Sequence, residues 1–541
     1  MELKCVTVIF CILGATAIAL ASVEEPPKWP PVYIVEGSLH VPTSDIEEPF
    51  KAWYDSIAGR SRIDYYGGTV KTYQVPGQPH GEIVHIEVMP VSNGTVNIMH
   101  QFYVEDPGTL DIQPALPETK NMEFAGSETF MSVECDRYTM KIKAGNKLEI
   151  NTLWVQYINP ANQSTLRVPV PKRFDRKVYT DYNVFEHFYI DYYYLDPGHI
   201  PADVFEISIE KDGQILNSGL DFGINPMGNY IQYDRDHLSR RFQQFLFEYN
   251  KSYTTATEAE YRRDIFYQNL LYIQSKNRAN LGYTLAVNRF ADLTQDEMKA
   301  FQGRRPSTRP NSGKPFPYQR NEVEGNFPEQ LDWRISGAVT PIKDQSMCGS
   351  CWAFGTVGAV EGAYFMKTNK SLRLSEQAVM DCSWAYGPRG CFGGSEVDAL
   401  SWIKAVGGIP SDEEYGPYLA MAGYCHLSNM TLRVPIADYY IVPRNDPDAL
   451  KFALFKHGPV VVGIESAKMD FSFYKSGVYS SGCSNMINHN VLAVGYGVLN
   501  GKPYWLVKNS WGIDWGNGGY ILMSAEGNTC CILRQPVYVT M

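Results

Sequence analysis

Near residue 230 the apolar residues of this chain change period, and no single domain accommodates both patterns. Before that point, "VYIVEGSLHV", "GEIVHIEVMPV", "TVNIMHQFYVE", "KLEINTLWVQYI" and "NVFEHFYIDYYYL" carry β-branched and aromatic residues between Pro, Gly and Asn breaks. Their partial alternation suits an antiparallel sheet or sandwich. One helix is expected among them, in "DIEEPFKAWYDSI" (Asp45–Ile57), where apolar residues recur at helical spacing. Beyond residue 230, "DHLSRRFQQFLFEYNKSY" and "TEAEYRRDIFYQNLLYIQSKNRAN" are charged and amphipathic, and read as helices. A chain of 541 residues is expected to form two or three domains.

The divisions follow from these shifts. Lys4, the apolar run Cys5–Ala21 and the small-residue end Ala19-Leu20-Ala21 read as a signal peptide, residues 1–21. No later run approaches the ~18 apolar residues of a membrane span, so none is expected. Residues 22–230 form a β-rich N-terminal domain in which no catalytic motif stands out. Residues 231–302 are helical. Residues 303–326, "GRRPSTRPNSGKPFPYQRNEVEGN", are rich in Pro, Gly, Ser and charge, and read as a protease-accessible linker. Residues 327–541 return to a globular composition. Secretion permits disulfides and N-glycans, and Asn93, Asn162, Asn250, Asn369 and Asn429 each open an Asn-x-Ser/Thr site. The 48 basic and 59 acidic residues leave a formal charge of −11, which argues against a nucleic-acid partner.

The chemistry centres on "CGSCWAF". Cys348 and Cys351 have no second Cys pair at zinc-site spacing, and no βαβ context that would suit a redox dithiol. The remaining reading is a nucleophile beside a structural cysteine. "CWAFGTVGAVEGAYFMKT" reads as a helix beginning at Cys351, whose N-terminal dipole favours a thiolate. Three histidines follow residue 327. His457 closes a helix before Gly458, where a capping role is expected, and His426 falls in a loop. His489 opens the apolar strand "NVLAVGYG" and is the candidate base. Asn509 in "NSWG" is placed to orient its ring, with Trp511 as an indole shield.

These residues resemble the papain family of cysteine proteases. The motifs are "LDWRISGAVTPIKDQSMCGSCWAF", "LSEQAVMDC", "GCFGG", "HNVLAVGYG" and "YWLVKNSWGIDWGNGGYI". The resemblance implies an α+β fold: a two-lobe protease, helical on the left and β-barrel-like on the right. A helical propeptide and a separate antiparallel β-rich domain precede it. By the same resemblance Cys351 is the nucleophile, His489 the acid/base and Asn509 the orienter. Gln345 joins the Cys351 N–H in an oxyanion hole. Gly393 and Gly394 offer backbone bonds to substrate. Ser395 and Gln535 wall and floor the pocket for the second acyl-side residue, with Glu396 near its mouth, and bulky apolar residues are expected there. The implied disulfides are Cys348–Cys391, Cys382–Cys425 and Cys483–Cys530. A further bridge, Cys135–Cys531, would then use the leftover cysteines and keep the N-terminal domain attached as a second chain. Ser346-Met347 and Asn488 depart from the family's usual residues.

Glu258, Arg262, Phe266, Asn269, Ile273 and Asn277 share one helix face and resemble the inhibitory propeptide of cathepsin L-like proteases. "AVNRFAD" (Ala286–Asp292) resembles its companion motif. The whole layout resembles the two-chain haemocyte cathepsins of insects. The implied function is a secreted or lysosomal cysteine endopeptidase, latent until its propeptide is cut, acting on proteins or peptides without cofactor or metal. Two alternatives are an exopeptidase whose N-terminal domain blocks one cleft end, and a binding protein using the protease fold as scaffold.

Overall fold

Two meanders make up the N-terminal sheet. In the computed structural model β1 (Val32–Val41), β2 (Ile46–Asp55), β3 (Arg60–Tyr65), β4 (Val70–Pro76), β5 (Ile83–Ser92) and β6 (Asn97–Val104) each pair with the next strand. So do β7 (Glu123–Phe130), β8 (Val133–Ala144), β9 (Lys147–Ile158), β10 (Val168–Thr180) and β11 (Asn183–Asp196). Antiparallel pairing of β1 with β11, Leu39 opposite Ile190, joins both into one sheet of eleven strands. The structure describes residues 25–541 except 77–82, 93–96, 105–111, 159–166, 181–182, 208–225, 232–235, 308, 311–312, 324–326, 431–432 and 485. The expected signal peptide and the sites at Asn93 and Asn162 lie outside the described residues.

Alternation explains the buried face. Tyr33, Val35 and Leu39 on β1, Phe50 and Ala52 on β2, and Leu153 and Val155 on β9 share one core with Met227, Tyr230 and Ile231. The helix expected over Asp45–Ile57 is instead strand β2. Ile46, Glu48, Phe50 and Ala52 are buried at period two, while Ile57 is 78% exposed. Pro49 also lacks the N–H that a helix interior needs.

Glu48 is buried because it has a partner. Its carboxylate takes two hydrogen bonds, 2.5 and 2.9 Å, from the Arg278 guanidinium at the end of the helix Ala256–Arg278. The Tyr66 hydroxyl meets Ser275 Oγ at 3.1 Å, and Lys147 Nζ reaches Asp264. The sheet thus grips this helix, and loss of either charge would strand the other in a dry interface.

Residues 327–541 fold as two lobes with separate cores. One core surrounds the helix Cys351–Thr368 and includes Val357, Val360, Ala378 and Leu400. The other lies on the second sheet, where His489–Leu499 pairs with Val460–Ile464 and Lys502–Lys508. The helix N-terminus meets this sheet where His489 begins its strand, and the cleft forms there. The fold is α+β, as the family resemblance implies.

The stretch read as a linker is more structured than its composition suggests. Gly303 and Arg304 are buried in the cleft, so the inhibitory segment runs past residue 302. Lys314–Pro315 pairs with Asp438–Ile441, and Arg320–Val323 is helical with Val323 buried. His457 ends the helix Pro447–His457 before Gly458, as expected. Its ring stacks on Tyr538, bonds the Tyr318 hydroxyl at 2.8 Å, and burial lowers its pKa to about 4.

Candidate active site

Cys351 is the first residue of its helix and is fully buried. The Asn490 N–H, one residue beyond His489, bonds its sulfur, bringing strand and helix together there. His489 Nε2 lies 2.8 Å from Asn509 Oδ1. The Asn509 N–H bonds the Gly519 carbonyl, and Ser510 N–H donates to the same Oδ1 at 2.8 Å, so the amide is fixed. An oxygen acceptor at Nε2 puts the proton on that nitrogen and leaves Nδ1 as the base. The Trp511 ring centre stands 5.0 Å from the imidazole and shields the contact. Gln345 is held by Ser510 Oγ, which donates to its Oε1 at 2.7 Å.

Every one of these groups is covered by the chain itself. Phe301 packs against Trp511 at 6.0 Å between ring centres, and its carbonyl accepts from Gln345 Nε2 at 3.0 Å. The side-chain donor expected in an oxyanion hole is thus already engaged. The Gly303 N–H lies 3.3 Å from Cys351 Sγ. A Cβ at residue 303 would sit 1.7 Å from the Gly349 carbonyl oxygen, so only glycine passes. Gly394 N–H donates to Gly303 O at 2.9 Å, and Arg305 N–H to Gly394 O at 2.8 Å. A Cβ on Gly393 would approach the same Gly303 carbonyl to 2.5 Å. Gly394 therefore supplies the backbone bonds to an extended chain, here one running parallel to it, whereas the Gly393 N–H and carbonyl are spent on Gly390 and Arg389 and Gly393 only leaves room for that chain.

Burial sets the protonation. It pushes the Cys351 thiol up to about 11, only partly countered by backbone bonds from Asn490, Gly303 and Trp352. It also draws His489 down to about 4 against the Asn509 bond. In this covered state the pair is a thiol and a neutral imidazole.

The propeptide face performs as a set of staples. Glu258 accepts the Thr254 N–H, and Arg262 donates to the Asp292 carbonyl and to Glu297. Asn269 Nδ2 donates to the Ala291 and Leu293 carbonyls, and Asn277 exchanges two bonds with Leu285. Phe266 and Ile273 fill the core between them. The helix thereby carries residues 285–297, and these dock on the protease. Asn288 donates to the Ser472 carbonyl, and Arg289 pairs with Asp344.

Glu396 and Gln535 share one pocket through Arg304, with Ser395 next to Glu396 in the chain, but Glu396 lies wholly buried rather than at a mouth. Sequence reading missed the residue that fills it, Arg304, and the Phe301 and Gly303 that precede it. Their only signal was position, just beyond the companion motif. Ser346 takes φ +52°, which accounts for glycine being usual there.

Cys348–Cys391 and Cys382–Cys425 are paired as expected, but Cys483 joins Cys531, not Cys530. The turn Thr529–Cys531 brings Cys531 to 5.1 Å Cα–Cα from Cys483, while Cys530 is packed into the protease core. This also removes the expected Cys135–Cys531 bridge, and Cys135 is a buried free thiol on β8. Glu465 lies beside Cys483 and Cys531, but both sulfurs are spent on the disulfide and offer no thiolate to a metal. A Cys531→Ala variant is therefore expected to expose Cys483 to alkylation, and Cys530→Ala to leave it protected. Mass spectrometry of the labelled peptides checks this.

Residues 327–540 match the papain family cysteine protease domain, and residues 242–298 the cathepsin propeptide inhibitor domain. The oryzain gamma chain of Oryza sativa subsp. japonica is 42% identical over 309 residues, 56% of this chain and 83% of that one. The chain belongs to the papain family of cysteine proteases. Digestive cysteine proteinase 2 of Homarus americanus is 41% identical over 54% of this papain-family chain and 92% of its own. Digestive procathepsin L 3 from the Tenebrio molitor larval midgut superposes with a TM-score of 0.52 at 35% identity, covering 56% of this chain and 99% of that one. This papain-family protease is a zymogen that carries its own inhibitory propeptide.

Proposed function

We propose that this protease is an endopeptidase of the secretory pathway, held latent until the propeptide is cut away. The path of residues 301–307, with Arg309 beyond it, carries the reading. The stretch begins beside Trp511, crosses Cys351, runs along Gly394 and continues to Asp398 and Ala385, bonded there by Ser307 and Arg309. A cleft that holds a chain continuing on both sides suits internal bonds rather than chain ends.

With the propeptide gone, the Cys351 thiolate attacks the scissile carbonyl. Gln345 Nε2 and the Cys351 N–H hold the oxyanion. His489 passes its Nδ1 proton to the leaving amine, and then draws a proton from the water that hydrolyses the thioester. Asn509 keeps the imidazole turned for both steps. The apolar N-terminal run, the exposed Asn250 and Asn369 and the three disulfides favour an oxidising route, lysosomal or extracellular, with glycans at the sequons including Asn429. Among the described residues no helix is long and apolar enough to cross a membrane.

The expected result is that the matured enzyme cleaves a peptide blocked at both ends as readily as its free-ended counterpart. Cleavage confined to free ends, read by mass spectrometry of the products, would establish an exopeptidase instead.

A further inference from the structure

Arg304, from the inhibitory segment, enters the pocket beside Gly394. Its Nη2 donates to Glu396 Oε1 at 3.2 Å and to Gln535 Oε1 at 2.6 Å. The side chains of Arg304 and Glu396 are 4% and 0% exposed. Glu396 stands in the first turn of the helix Glu396–Val406, and among the described residues its second oxygen, Oε2, has no hydrogen-bond partner; nor has the hydroxyl of the preceding Ser395. Gly463 leaves room for the arginine stem, since a methyl there would come within 3.4 Å of Arg304 Nε. Arg304 itself is held in register by its N–H on the Asn488 carbonyl, 3.0 Å, and by its bridge to Gly394.

From this geometry we infer that the pocket for the second acyl-side residue selects arginine, with Glu396 and Gln535 as the selecting groups. The inference rests on the protease reading of the cleft. When the propeptide is cut away, Arg304 leaves with it. The vacated pocket then presents a carboxylate and an amide carbonyl, both acceptors, which a side chain filling the pocket as Arg304 does would bury again. A desolvated carboxylate demands a cation, and a planar guanidinium offers donors to both acceptors at once. A leucine or phenylalanine would leave Glu396 buried and uncompensated. The propeptide thus seats in this pocket the kind of side chain the protease would select, a basic residue in place of the bulky apolar one expected from sequence.

The test uses matured enzyme and blocked fluorogenic peptides that differ only at this residue: arginine, its neutral isostere citrulline, and leucine. We expect kcat/KM to fall by about tenfold or more from arginine to citrulline, with arginine above leucine. In Glu396→Gln the arginine-to-leucine ratio is expected to drop by about tenfold or more. The citrulline comparison needs only the natural enzyme, so it holds even if the variant fails to fold. Equal turnover of arginine and citrulline peptides, or leucine well above arginine, would overturn the inference while leaving the protease standing. Failure to cleave all three would overturn both.

Discussion

Iodoacetamide is expected to alkylate Cys351 at pH 7 at least about a thousandfold more slowly in the precursor than in the matured enzyme. Burial beneath Gly303 holds the thiol near about 11, so only about one molecule in ten thousand carries the thiolate at pH 7. His489, held near about 4 by the same burial, supplies no positive charge. Removing residues 301–305 admits water, frees the imidazole to take a proton, and leaves the helix N-terminus facing the sulfur. Labelled peptides from both forms give the rates directly. Equal rates would show that the propeptide does not suppress the thiolate.

The same shifts fix the pH at which latency fails. A histidine whose pKa is lowered by docking binds more protons once released, so acid favours release. Docking is at full strength above the ordinary value near 6.5 and weakens as pH falls towards about 4. His457, which holds Tyr318 of the linker, has the same sign and window. Asp344 and Glu297 behave otherwise. Burial alone would raise them, but their arginine bonds hold both below the usual carboxylate range, so those staples survive until the pH is lower still. Activation of the full chain should therefore accelerate between about pH 6.5 and 4. A precursor that matches the activity of residues 327–541 at neutral pH would overturn this account.

Cys351→Ala is expected to abolish peptide hydrolysis without loss of stability, whereas Cys348→Ala should lower stability by about 2–5 kcal/mol. Cys348 is bonded to Cys391 and closes a loop with a sequence separation of 43 residues, while Cys351 has no cross-link to lose. Active-site assays paired with denaturant unfolding separate the two effects. Turnover retained in purified Cys351→Ala protein would remove the nucleophile assignment.

What could be read from sequence was what local spacing encodes. The strands announced themselves by alternation, and the propeptide face by its helical period. His489 and Asn509 emerged because rigid strand ends and long motifs surround them. The misreadings arose where two periods coincide or where partners are remote. In Asp45–Ile57, Ile46, Phe50 and Ile57 satisfy a helix, yet Ile46, Phe50 and Ala52 satisfy the strand that forms. Arg278 and Glu48 are separated by 230 residues, and Arg304 and Gln535 by 231, so nothing local marks either pair. Cys530 and Cys531 differ only in which way one turn aims them.

The seam between β1 and β11 has a consequence for the order of assembly. Every other pairing in that sheet joins strands adjacent in sequence, so each meander can zip locally and only the seam must wait for a distant partner. Because chains fold from the N-terminus as they are made, Glu48 is already mounted when Arg278 leaves the ribosome. The inhibitory helix has its platform before any of residues 327–541 exists. Cys351 is then made after its inhibitor, and the cleft closes only when His489 and Asn509 follow, around an occupant that is already mounted.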